Sequence, residues 1–174
     1  MNDVQIEQAW HSLVGRLRLH GRDARLIEEL DDLQGRLQHE IFGELPTFPE
    51  PRPDVSPSDI RLAFVLDALE ALALLEPADP SYPRERASLL FKVGRHLEAA
   101  ADSLEAARRF EREAADGTGL TGDEEDWART EFWHAAKNFA LAGHPASATA
   151  LLPRLDEGDR EEIAALVAAA ADAA

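Results

Sequence analysis

The chain has no cysteine, one methionine, one tyrosine and, among its eighteen basic residues, only two lysines, Lys92 and Lys137. Without cysteine there is no disulfide framework, no thiolate metal site and no thiol nucleophile. Long apolar runs are missing too: the longest, Leu62 to Leu75, is broken by Asp67 and Glu70, so a membrane-spanning segment is not expected. The first residues, MNDVQIEQAW, carry neither a basic nor an apolar leader region, and the expected location is cytoplasmic. G-x-S-x-G, G-x-x-x-x-G-K and G-x-G-x-x-G patterns are also missing, and the glycines of GTGLTG sit in an acidic stretch that would repel phosphate.

Over 174 residues, 45% apolar side chains suffice for a continuous core. Thirty-four acidic residues set the net charge at −16, which repels phosphate backbones and anionic bilayers, so neither nucleic acid nor a membrane is an expected partner. Acid is concentrated towards the end: residues 81–116 hold seven acidic and seven basic side chains, and residues 117–174 hold eleven and four.

Apolar spacing and helix punctuation predict an all-α chain of about eight helices in antiparallel hairpins, arranged as a helical bundle or a short right-handed solenoid. Ile6, Trp10, Leu13, Val14 and Leu17 mark the first helix. Leu26, Leu30, Leu33, Leu37 and Ile41 mark the second, capped by Asp23. Together they form an N-terminal hairpin over residues 1–45. Pro46, Pro49, Pro51, Pro53 and Pro57 make residues 46–58 a linker or surface strap. Its PxxP match at Pro46 and Pro49 has little basic charge beside it to orient a ligand domain.

Residues 59–174 hold the remaining helices in one helical-repeat-like unit. The third begins at Ser56, Pro57 and Asp59 and, being apolar on most of its circumference, is expected at the buried centre of the bundle. Asp79 to Pro83 open the fourth, which ends at Gly94. The fifth runs from about Arg95 to Ala115, with Leu97, Ala100, Ala101, Leu104, Ala107 or Arg108, and Phe110 as its buried stripe. Thr121 and Glu124 form a capping box for the sixth, whose core face is Ala128, Phe132, Ala135, Ala136 and Phe139. A short seventh helix starts at Pro145, and Asp156 or Asp159 caps an alanine-rich eighth.

Gly94, Ala99 and Ala106 stand at relative positions zero, five and twelve, and Gly143, Ala148 and Leu155 repeat that spacing with a leucine at the last position. This resembles the turn glycine and small-residue positions of tetratricopeptide repeats over about residues 82–156. The resemblance implies a scaffold that binds a peptide or helix in a groove lined by the first helix of each unit. Lys92, Arg95, Trp133, Lys137 and Asn138 are the candidate partner-binding residues, and the partner is a protein or a second copy of the chain. No cofactor is expected.

A second reading is a metal-dependent helical-bundle enzyme. Glu131 and His134 have the E-x-x-H spacing of half a di-iron signature, but none of the other five histidines has a glutamate three residues before it. A third is an acidic inhibitor or mimic that binds a basic protein.

Overall fold

The computed structural model describes residues 3–20, 22–43, 51–56, 58–117 and 122–172. Among these the chain is all-α, with eight helices: α1 (Asp3–His20), α2 (Ala24–Phe42), α3 (Ile60–Leu75), α4 (Ser81–Lys92), α5 (His96–Asp116), α6 (Glu124–Leu141), α7 (Pro145–Leu151) and α8 (Glu157–Asp172). A short 3-10 turn, Leu152–Arg154, follows α7. No helix among the described residues is long and apolar enough to cross a membrane. Pro46, Pro49, Pro57 and Thr121, which carried sequence-based expectations, lie outside the described residues.

Helix starts follow local chemistry. Asp23 Oδ1 accepts from the Arg25 amide at 2.9 Å and Asp59 Oδ1 from the Arg61 amide at 2.9 Å, each satisfying a donor that the first turn leaves without an intrahelical partner. The third helix thus begins at Ile60 behind Asp59 rather than at Ser56, whose hydroxyl accepts from the Ser58 amide in a turn of its own.

Two core clusters stack along the chain. The first joins Ile6 and Leu13 of α1, Leu30 and Leu37 of α2, Leu62, Leu69 and Leu72 of α3 and Leu89 and Leu90 of α4. Each such leucine contributes on the order of 2 kcal/mol by leaving water. The second joins Ala107, Phe132, Ala136, Ala148, Leu155 and Ile163. Residues 51–56 of the proline strap belong to the first: Val55 is buried in it, the Arg52 amide donates to the Lys92 carbonyl at 2.7 Å, and Arg52 Nη1 donates to the Phe42 carbonyl at 3.1 Å. One residue of the strap therefore ties the end of α2 to the end of α4.

The α4–α5 and α6–α7 turns share one geometry. Gly94 and Gly143 both have φ of 75°. The Arg95 amide donates to Leu90 at 2.9 Å and the His144 amide to Phe139 at 2.8 Å, while the glycine amides donate to Phe91 and Ala140. These are Schellman turns, in which the left-handed residue lets the next amide reach back five residues. Beyond them Ala99, Ala106, Ala148 and Leu155 are all buried, the small ones letting helices approach closely.

The buried face of α5 differs from the expected stripe. It consists of Ala99, Ala100, Ser103, Ala106, Ala107, Arg109 and Phe110, while Leu97 is half exposed and Ala101 exposed. Close contact with α4 and α6 selects the small side chains and turns Leu97 outward.

Arg109 is buried nonetheless. Its guanidinium donates to the carbonyls of Ala73 (3.1 Å), Glu76 (3.1 Å) and Asp79 (2.8 Å) and to the Glu105 carboxylate (2.9 Å). It caps the carboxyl end of α3, whose last carbonyls lack helical partners.

Candidate functional site

Helix α3 is apolar on most of its circumference, so its pattern specifies little about which side is covered. Packing against α2 and α4 buries Leu62, Val65, Leu66, Leu69 and Leu72, and leaves an exposed stripe of Ala63, Asp67, Glu70 and Leu74 at helical spacing. Its centre is buried as expected, but this stripe is not. Helix α1 lies beside the stripe, held by Ile6, Leu13 and an edge-on contact of Trp10 with Phe64 at 5.1 Å and 79°.

Between the two helices lies a trough of about 470 Å3 lined by Trp10, Val14 and Leu17 from α1 and by Asp67, Glu70, Ala71, Leu74 and Leu75 from α3. Leu74 is 77% exposed at its edge. The size and apolar lining suit the side chains of an added helix more than a polar metabolite.

The polar groups of the trough are carboxylates. Burial, and then Glu70, push the Asp67 carboxyl above its ordinary range against the opposing pull of Arg86 and Arg95. Glu70 accepts from Arg86 Nη2 at 3.1 Å, but Arg86 also holds Asp102 at 2.9 and 3.0 Å, so one guanidinium serves two carboxylates. Among the described residues Asp67 forms no ion pair.

The residues singled out from sequence are arranged differently. Glu131 is buried, with Arg84 Nε at 3.1 Å and the Ser103 side chain as a hydrogen-bond partner; burial pushes its carboxyl up to about 7. His134 packs edge-on against Trp133 at 4.8 Å, and burial, with Arg84 and Lys137 adding to it, pushes its imidazole down to about 4. Among the described residues no three or more His, Asp or Glu side chains gather as a metal site needs. Here an arginine occupies the position beside Glu131 where a cation would bind, and the residues do not fit a di-iron centre.

Lys92 and Asn138 are 3% and 2% exposed and do not line an open groove. Lys92 places its ammonium 5.9 Å from the Phe42 ring centre, and Asn138 Oδ1 lies 2.9 Å from His96 Nδ1. Arg95 is at the surface, donating to Glu98 at 2.7 Å. Trp133 Nε1 and Lys137 Nζ donate to the two oxygens of Glu162 at 3.2 and 3.3 Å, so both face α8. These two candidate partner-binding residues are thus engaged by the chain's own last helix.

The trough was not apparent from sequence. Its one local signal was the pair Asp67 and Glu70, one turn apart in an otherwise apolar helix. Comparison of the chain with protein-family models, curated proteins and solved structures gives no match.

Proposed function

We propose that this protein is a non-enzymatic protein–protein interaction module, a helical scaffold that docks a segment of a partner between α1 and α3. The observation that carries this reading is the apolar trough itself, open along the exposed stripe of α3 and edged by Leu74. Globular proteins cover most apolar surface of this kind, and an uncovered groove between two helices is the usual seat of a helical ligand. The matching turns at Gly94 and Gly143 add support, because stacked hairpins of similar geometry are a common framework for such surfaces.

A photo-crosslinking residue placed at position 74 in producing cells tests the reading. The expected result is one adduct of defined mass that disappears when Ala71→Trp fills the trough, and that is missing when the crosslinker replaces Leu141. Equal adducts from both positions, or persistence with Ala71→Trp, would rule it out.

A further inference from the structure

We infer that the segment taken up by the trough is a basic amphipathic helix. This rests on the docking reading above and adds the chemistry of the partner. Apart from Arg61 near its start, the only charged side chains of α3 are Asp67 and Glu70, and both lie on the exposed stripe, at the trough wall. Like charges one turn apart cost a helix a few tenths of a kcal/mol, and Asp67 is further disfavoured by its partial removal from water. Arg86 and Arg95 offset this only in part for Asp67, which forms no ion pair among the described residues, and Glu70, its side chain 57% exposed, has only a share of Arg86.

The rest of the lining asks for hydrocarbon. Trp10, Val14, Leu17, Ala71, Leu74 and Leu75 form the floor and the opposite wall. A helix that sets apolar residues into this floor at three- and four-residue spacing, with Lys or Arg one turn apart along its flank, meets both requirements. Asp67 and Glu70 are separated by a rise of about 4.5 Å, the same as two such cations on a helix lying alongside. The net charge of −16 draws in a basic partner at long range and opposes a second copy of this chain.

The test uses the full chain and a labelled peptide of about 14 residues, roughly 21 Å as a helix, made of leucine and lysine in an amphipathic pattern. A leucine–glutamate counterpart serves as control. The lysine peptide is expected to bind, with affinity falling roughly tenfold between about 0.05 and 0.5 M salt. Asp67→Asn alone should weaken it several-fold and Asp67→Asn with Glu70→Gln about tenfold. Neutralising Glu157 and Asp159 on α8 should leave it unchanged. Leu74→Asp, which keeps every carboxylate, should abolish it.

Equal weakening by the α8 pair, or none by Asp67→Asn, overturns the inference. If both peptides bind alike and both are lost in Leu74→Asp, the docking reading stands and the basic partner falls. If Leu74→Asp leaves both peptides bound, the docking reading itself falls. A dimer of the chain that Leu74→Asp dissociates would identify the occupant as a second copy, and would also overturn the inference. Melting curves of each variant show that it is folded, and Asp67→Asn, at an exposed position, is the variant least able to disturb the core.

Discussion

Arg84 of α4 lies 3.1 Å from Glu131 of α6 in an ion pair of unequal halves: the arginine side chain is 46% exposed and the glutamate 3%. The pair spans α5, whose Ser103 also bonds the carboxyl group, so three helices meet at one titratable side chain. Burial outweighs the arginine and leaves Glu131 near 7.

A raised carboxyl contributes stability in full below its unfolded value, here 4.5, and has lost that contribution once pH has risen through about 7. Glu131→Gln keeps the shape and removes the titration. Relative to wild type, its unfolding free energy should improve by about 3 kcal/mol between pH 4.5 and 8. Urea denaturation at the two pH values measures this, and parallel curves for variant and wild type would contradict it.

His134, one turn further along, has the opposite sign. Its imidazole is depressed from 6.5 to about 4, so its contribution is present above 6.5 and is lost as pH falls through about 4. Relative to wild type, His134→Gln should gain about 3 kcal/mol as pH falls across that window. The two single variants should therefore diverge from wild type in opposite directions over overlapping pH ranges; the same direction for both would show that the assignment is wrong.

Arg109→Met removes the cap on α3 and takes that donor from the half-buried carbonyls of Ala73, Glu76 and Asp79. The expected loss is about 3 to 5 kcal/mol, or roughly a 10 °C fall in Tm. Arg109→Lys should recover only part, since one ammonium cannot span three carbonyls. A loss under about 1 kcal/mol for the methionine variant would mean the cap contributes little.

Gly94→Ala and Gly143→Ala both force a side chain into φ of 75°, and neither added Cβ meets another atom within 4 Å. The cost is backbone strain alone, about 1 kcal/mol each. Thermal melts should show equal losses, because the two turns share one backbone geometry. Unequal losses would mean that the two turns are not energetically alike.

Helix existence was legible from sequence because its punctuation is local. Asp23 caps where it is expected to, Asp59 caps three residues beyond the expected Ser56, and Gly94 and Gly143 turn where glycine alone is free to do so. Facing was less legible. Leu97 was placed on the buried stripe of α5 by its spacing, yet close packing put Ala99, Ser103 and Ala106 inside. Lys92 and Asn138 were placed in the groove that the repeat resemblance implies, but an aromatic ring and a histidine partner draw them in. The trough was hidden because α3, apolar on most of its circumference, gives no sign beyond Asp67 and Glu70 of which side stays open, and that depends on how α1 lies across it.

The cap supplied by Arg109 also imposes an order on synthesis. On the ribosome α3 emerges with its final carbonyls still hydrated, and the guanidinium that will hold them is encoded 33 residues beyond Glu76. Until α5 leaves the exit tunnel, the first cluster of helices can gather but its central rod stays unfinished at one end. The same residue that completes α3 belongs to the helix on which the second cluster is built, so the nascent chain closes its first half in the act of beginning its second.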